Sequence, residues 1–483
     1  MSITRSPTRR GVELWRKSAS ELGQAIRSRQ ASSREVVEAH LRRIEDVNPS
    51  INAVTVVLAD RALAAAALAD DAVVSGDDLQ PFHGVPFTVK ENIDLVGAAT
   101  TQGLRALAGA YPTRDAPAVE RLRAAGGIPL GHTNCPTIAV RWHTDSEMWG
   151  ATVNPWDRSR TPGASSGGEA AALATGMSPL GLGNDMLGSL RWPAQCCGVS
   201  ALKPTLGRIP HASSIEPADM AIGVQLTDVE GPMARRISDL RAAFETLSGP
   251  TWRDAWTVPA PLRGPELAKP IRVALVVDPE GGGTADQVKD GVRKAADALA
   301  DSGYSVVEVE PPSIGTAAET LLTMLNTPDI RAVWQAKSRL LPGDTQRFLS
   351  AFYQVAGDPD PVTTLQSFMT RQSLLRAWGG FLETYPLIVA PVYTDIPFEV
   401  GTDLEAGRVA ETIRGMRMTM AVNALGLPAV AVPVGINGGL PQVVQVIGPR
   451  YREDLSLDAA EAIENSVGIF TPIEPVQPRG VAL

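Results

Sequence analysis

Thr161-Pro162-Gly163-Ala164-Ser165-Ser166-Gly167-Gly168-Glu169, then an Ala-rich run, then Asn184-Asp185-Met186-Leu187-Gly188-Ser189-Leu190-Arg191, decide how this chain is read. The stretch closes at Lys203-Pro204-Thr205 and places two serines, Ser165 and Ser189, in Gly-rich turns. A Gly-rich loop ahead of a helix (Glu169–Thr175) directs backbone N–H groups at whatever the loop holds. Taken alone, Ser165 and Ser166 read as a helix start with a serine cap. A phosphate loop does not fit, because the Walker pattern needs Lys and then Ser or Thr after the last glycine, where Glu169 stands. Ser189 follows a glycine at a tight turn, which suits a hydroxyl exposed beside free N–H groups. The Gly-x-Ser-x-Gly elbow is absent, since Arg191 occupies the place of its second glycine, and an isolated serine of this kind is more often a turn residue.

Upstream, Gly84–Val89 reads as a strand with Lys90 at its end. A lysine there is normally a solvated charge; it becomes a base near neutral pH only when desolvated or set beside other cations. The five histidines, His40, His83, His132, His143 and His211, form no close ligand pair. His143 is the best candidate for a Ser-His-Asp triad by spacing. Cys196-Cys197 reads as buried structural cysteine, and Gly281-Gly282-Gly283 as a turn without dinucleotide spacing.

The chain has 483 residues, 44% of them hydrophobic, enough to bury a large core. A net charge of −9 leaves no electrostatic footprint for nucleic acid. Three cysteines make no disulfide framework and fit a reducing compartment. Met1–Ser20 lacks an apolar segment of signal-peptide type, and Ala62–Ala69 is too short to span a bilayer. A cytoplasmic globular protein is therefore expected. Ser18-x-x-Glu21 and Ser32-x-x-Glu35 read as capping boxes of two helices, the second ending at Asn48-Pro49. Arg61–Ala72 and Ala118–Ala125 read as helices, and 128–130 as a short strand. Residues 271–277, 284–302 and 305–310 read as a β-α-β unit, and 385–395 and 429–436 as further strands. Residues 315–380 are mainly helical and carry Trp334, Phe348, Phe352, Tyr353, Phe368 and Trp378. Disorder is expected only at the termini and in the Pro-rich 259–270. Alternating strands and helices predict an α/β protein with a parallel or mixed sheet.

Together these segments resemble the amidase signature hydrolases, which use a Ser–cis-Ser–Lys triad. The resemblance is carried by Gly84-Val85-Pro86-Phe87-Thr88-Val89-Lys90-Glu91-Asn92-Ile93-Asp94, Asn154-Pro155-Trp156-Asp157, the 161–168 loop and 184–191. It continues through Gly198-Val199-Ser200-Ala201-Leu202-Lys203-Pro204-Thr205, Glu230-Gly231-Pro232-Met233-Ala234-Arg235, Gly426-Leu427-Pro428-Ala429 and Gln445-Val446-Ile447-Gly448-Pro449. It implies a three-layer α/β/α fold with a large mixed sheet in one domain over 1–483. Within it fall N-terminal helices at about 12–75, a catalytic core at about 80–250 and a substrate-lining helical region at about 315–400. Carried onto these positions, the nucleophile is Ser189, the bridging serine after a cis bond is Ser165, and the general base is Lys90. The backbone N–H groups of Met186, Leu187, Gly188 and Ser189 form the oxyanion hole, and Ser166, Asp185 and Arg191 support the turn. No cofactor and no metal is implied.

Two residues depart from the family pattern. Leu187 replaces the first glycine of Gly-Gly-Ser and should keep a negative φ. Trp192 stands where a small polar or aliphatic residue is usual. Both are expected to line the substrate site and to favour an apolar or aryl substrate. The implied activity is hydrolysis of small amides by an acyl-enzyme route, with carbamate (urethane) or ester hydrolysis as the alternative. The implied partner is such a small molecule, with no nucleic acid and no membrane, and the chain a monomer or homodimer. Two other classes stay open: a glutamine amidotransferase subunit, and a non-catalytic binding protein whose oxyanion hole Leu187 has closed.

Overall fold

The computed structural model describes residues 13–215 and 219–477. The expectations for the chain termini, beyond residues 13 and 477, lie outside the described residues. Thirteen strands are present among them: β1 (Val54–Val57), β2 (Pro86–Lys90), β3 (Ile128–Thr133), β4 (Asp145–Ser146), β5 (Gly150–Ala151), β6 (Leu180–Asp185) and β7 (Ser200–Lys203), followed by β8 (Val229–Ala234), β9 (Arg272–Leu275), β10 (Ser305–Glu308), β11 (Leu387–Pro391), β12 (Ala429–Asn437) and β13 (Leu440–Ile447). Eleven form one mixed sheet in the order β1-β3-β2-β6-β8-β7-β12-β13-β11-β9-β10, and β4 and β5 pair separately. The expected β-α-β unit is β9, the helix Asp286–Asp301 and β10, with the two strands parallel.

Side-chain alternation along the strands makes two cores from one sheet. Ile388 and Ala390 of β11 face one core, while Leu387 and Val389 face the other. In β12, Ala429 and Ala431 turn to the first, and Val430, Val432 and Val434 to the second. Strands covered on both faces must be apolar throughout, which is why β11 reads Leu-Ile-Val-Ala-Pro without polar alternation. The first core takes in helices Gly167–Ala174, Arg191–Cys197, Ile314–Met324, Gly343–Ala356 and Arg417–Ala424. The second takes in Ala19–Arg27, Pro117–Ala124, Ile237–Leu247, Asp286–Asp301 and Glu453–Val467. This is the three-layer α/β/α arrangement anticipated from the sequence.

Both capping boxes form, at Ser18/Glu21 and Ser32/Glu35, each with its two reciprocal bonds. The second helix, however, runs Ser33–Ile51 and does not stop at Asn48-Pro49. Pro49 deletes one helical donor in the last turn, but Val47 and Ile51 are buried and keep that turn docked on the core. Asn52, left-handed at φ 56°, closes the helix, and its N–H donates to Asn48 O at 2.7 Å. In the helical region, Phe348, Phe352 and Trp378 are buried, and Trp334 and Tyr353 pack half-buried on the same core. The Pro-rich 259–270 stretch has no helix or strand. No helix among the described residues is long and apolar enough to cross a membrane.

Ser32→Ala removes the side-chain acceptor for Glu35 N–H at 3.0 Å. It should cost about 1 kcal/mol of stability, read as a lower urea midpoint at unchanged slope.

Candidate active site

The site lies where β2 and β6, parallel neighbours, end side by side. Lys90 is the last residue of β2, and Asp185 the last of β6. Beyond β6 the chain makes the turn Met186–Leu190 and enters the helix Arg191–Cys197. The Ser165 loop crosses in front of this turn. Ser166 N–H donates to Ser189 O at 3.2 Å, which joins the two serine loops directly. Thr144 Oγ1 donates to Gly163 O at 2.8 Å. Asn154 Nδ2 donates to Thr161 O at 2.9 Å and to Cys196 O at 3.0 Å, so the Asn154–Asp157 motif anchors the loop to the helix behind it.

Glycine is required at two points of this frame. Gly163 has φ 77°, and a Cβ there would lie 2.6 Å from Pro193 Cα. Gly188 has φ 95°, and its Cβ would meet Thr419 Cγ2 at 2.7 Å. Leu187 is not among the described residues with positive φ, in keeping with the cost of that region for a side chain with a Cβ. It is half-buried and packs, with Met186, against the first core.

The Ala164–Ser165 peptide bond is cis. Lys90 is fully buried, and its Nζ donates to Ser165 Oγ at 2.6 Å. Its second partner is Asn184 Oδ1. Burial pushes the Lys90 amine down to about 8, against the opposing pull of Cys135, Asp228, Asp185 and Glu230. Lys203 is also buried and pushed down, to about 7, by burial and then by the Arg191 charge, but its Nζ donates to Pro204 O. Of these two buried amines, Lys90 is the one bonded to a serine.

Asp185 and Arg191 are both fully buried and form a two-point ion pair, with Nε to Oδ2 at 3.0 Å and Nη2 to Oδ1 at 3.1 Å. Desolvation works against the Asp185 charge, yet Arg191, Lys203 and Asn423 together hold its carboxyl well below the usual carboxylate range. The same carboxylate accepts from Gly188 N–H at 2.8 Å and Leu190 N–H at 3.2 Å. This corrects one expectation: the Gly188 N–H, assigned to the oxyanion hole, is turned inward to Asp185. Met186, Leu187 and Ser189 have no such N–H bond among the described residues. Ser189 is half-buried, and its hydroxyl makes no hydrogen bond among them.

Trp192 is a second correction. It was expected to line a substrate site, but it is fully buried in the core. Its ring stacks edge-on to Tyr393 at 4.9 Å and lies 5.5 Å from Phe398, and its Nε1 donates to Trp142 O at 3.2 Å. It therefore forms a wall behind the turn.

The other sequence candidates are set apart. No histidine bonds to either serine among the described residues; His143 Nδ1 lies 3.1 Å from Thr161 Oγ1, and burial pushes the ring down to about 4. Cys196 and Cys197 are buried with thiols pushed up by burial. Glu169 is buried between Thr88 and Thr133, and burial raises its carboxyl to about 8, so the first turn of the helix at Gly167 carries a neutral acid near pH 7. Ser166 Oγ is buried without a hydrogen-bond partner among the described residues. Among the described residues, no group of three or more His, Cys, Asp or Glu is placed to hold a metal ion. Sequence reasoning missed Asn184, Asn423, Thr419 and Gln445. Asn184 and Gln445 lie in quoted motifs, whereas Asn423 and Thr419 sit on the helix Arg417–Ala424 with no local signal.

The model of the Amidase family matches residues 35–457. The indoleacetamide hydrolase of Bradyrhizobium diazoefficiens is 41% identical over 459 residues, 95% of this chain and 88% of that one. The structure of 6-aminohexanoate cyclic dimer hydrolase complexed with substrate superimposes with a TM-score of 0.81 at 28% identity, covering 94% of this chain and 98% of that one. A bacterial aryl acylamidase of the amidase signature family gives a TM-score of 0.80 at 25% identity, covering 95% and 96%. With the family model spanning most of its length and its fold shared by these enzymes, the chain belongs to the amidase family and is a hydrolase of non-peptide amide carbon–nitrogen bonds.

Proposed function

We propose that the chain hydrolyses primary amides of small arylacetic or similar apolar acids through an acyl-enzyme on Ser189, with Ser165 and Lys90 relaying the proton. The observation that carries this reading is the 2.6 Å bond from the buried Lys90 amine to Ser165 Oγ. An amine whose charge is disfavoured by burial serves as a base close to neutral pH. Neutral Lys90 takes the proton of Ser165, Ser165 takes that of Ser189, and Ser189 Oγ bonds to the amide carbon. The carbonyl electron pair moves to oxygen, which the N–H groups of Met186, Leu187 and Ser189 receive. Collapse breaks the C–N bond, and the proton returns through Ser165 to the departing amine. Water then cleaves the acyl ester by the same relay. Asp185 and Arg191 hold the turn, and Ser166 holds Ser165 against it.

The substrate class is supported by the indoleacetamide hydrolase relative. It is supported also by half-buried Met186 and Leu187 beside the nucleophile. Aryl esters yield a seryl ester and release the alcohol, aryl carbamates yield a seryl carbonate and release the amine, and both form the secondary substrate range. Three free, buried cysteines support a reducing, cytoplasmic setting.

Ser189→Ala should abolish turnover, and a fluorophosphonate should label Ser189 in the parent by mass. Lys90→Ala should lose about 10²–10⁴ in kcat. Because the base acts unprotonated, kcat/KM should climb as pH rises through about 8 and then level off; a profile flat from pH 6 to 9 contradicts the assignment. Across indole-3-acetamide, p-nitroanilides, p-nitrophenyl esters, aryl carbamates and glutamine, the arylacetamide should give the highest kcat/KM. Glutamine as preferred substrate would instead indicate an amidotransferase subunit.

Leu187→Gly should shift relative kcat/KM across an acyl-chain series toward polar or bulkier acids. An unchanged series removes Leu187 from the specificity assignment.

A further inference from the structure

Ser165 accounts for only one of the two hydrogen bonds made by Lys90 Nζ. The other goes to Asn184 Oδ1. A neutral amine carries two N–H bonds and one lone pair. To remove a proton from Ser165, it must turn the lone pair toward Ser165 Oγ. Rotation about the Cε–Nζ bond otherwise spreads the lone pair over three directions.

An amide oxygen can only accept a hydrogen bond. At Asn184 it claims an N–H of Lys90 and keeps the lone pair off that side. The amide is held in this sense by its other end, since Asn184 Nδ2 donates to Asn92 Oδ1 at 3.2 Å. The flipped amide would set Nδ2 against the N–H groups of Lys90 and oxygen against oxygen at Asn92. Asn184 is buried, and the β6–β8 ladder pairs it with Glu230, so the side chain has little freedom.

The charge of residue 184 matters as well. Lys90 is faced by Cys135 after β3, Asp185 on β6, Asp228 before β8 and Glu230 on β8, each favouring its charged form. Asparagine supplies an acceptor there without adding a further negative charge.

We propose that Asn184 is the positioning residue of the base: its amide oxygen, oriented by Asn92, fixes one N–H of neutral Lys90 and so confines the lone pair to directions that include Ser165. The inference rests on Lys90 acting as the base.

The test compares kcat and KM against pH, on indole-3-acetamide, for the parent, Asn184→Asp, Asn184→Leu, Asn92→Ala and Lys90→Ala, with folding checked by circular dichroism. The near-isosteric Asn184→Asp keeps an acceptor and adds a charge. Its acid limb should move up by about 1 pH unit or more, because an adjacent negative charge favours protonated Lys90. Asn184→Leu should lose about tenfold or more in kcat at every pH, with KM within about twofold, since substrate contacts are untouched. Asn92→Ala, a milder change, should lower kcat by a smaller factor in the same direction. A pH profile of Asn184→Asp that overlays the parent, while Lys90→Ala loses about 10²–10⁴ in kcat, overturns the positioning role and leaves the base assignment standing. If Asn184→Asp does not fold, an unchanged kcat in Asn92→Ala overturns the role in its place. Full activity of Lys90→Ala overturns the base assignment, and this inference with it.

Discussion

Everything around Ser189 hangs from one buried ion pair. Asp185 ends β6, Arg191 begins the next helix, and the five residues between them are stretched across the pair as a turn. Two N–H groups of that segment, from Gly188 and Leu190, bend inward to the Asp185 carboxylate. Arg191 reaches outward from the same point to Gln445 Oε1 at 2.8 Å, Thr419 O at 3.2 Å and Asn423 Oδ1 at 2.5 Å. Asn423 closes the circuit, donating back to Asp185 Oδ1 at 2.9 Å and to its carbonyl at 3.0 Å. The turn is thereby fastened to β13 and to the helix Arg417–Ala424, both far along the chain. Removing one member of such a pair leaves a buried charge uncompensated, at a cost of about 3–5 kcal/mol, so its value lies in the geometry it enforces.

A neutral group does the matching work on the Ser165 side. Glu169 bonds to Thr88 on β2 and Thr133 on β3, and so couples the helix behind the serine loop to the strand that carries Lys90. Thr133 is also the register partner of Lys90. The two loops are thus set independently, one by an ion pair and one by a buried acid, and meet at Ser166 N–H and Ser189 O.

Much of this was legible in the sequence because the residues concerned cluster in short motifs. Lys90 at a strand end, Ser165 and Ser189 in glycine turns, and Asp185 and Arg191 flanking the turn are each visible locally. The burial of Lys90, on which its basicity depends, is a property of the sheet and was not legible. Asn423 and Thr419 were missed for the same reason: they become neighbours of Asp185 and Gly188 only when a distant helix packs on the turn. Trp192 shows the converse error. A large apolar side chain near a nucleophile reads alike whether it faces a ligand or the core, and here the partners Tyr393 and Phe398, some 200 positions away, decide for the core. Pro49 was read as a stop by local rules, yet buried Ile51 carries the helix past it.

The division of the sheet into two cores has a consequence for how the molecule tolerates change. Val89 faces the second core and Lys90 alternates with it, while Met186, Leu187 and Leu190 of the Ser189 turn pack on the first core. The helices on the opposite face, among them Ile237–Leu247, Asp286–Asp301 and Glu453–Val467, place their apolar residues in the second core. The sheet keeps the two apolar cores apart, and Asn184, on the far face of β6, meets Lys90 at the strand ends. Sequence drift or deliberate stabilisation on the far side can alter the lifetime of the fold while leaving the chemistry to evolve separately on the near side.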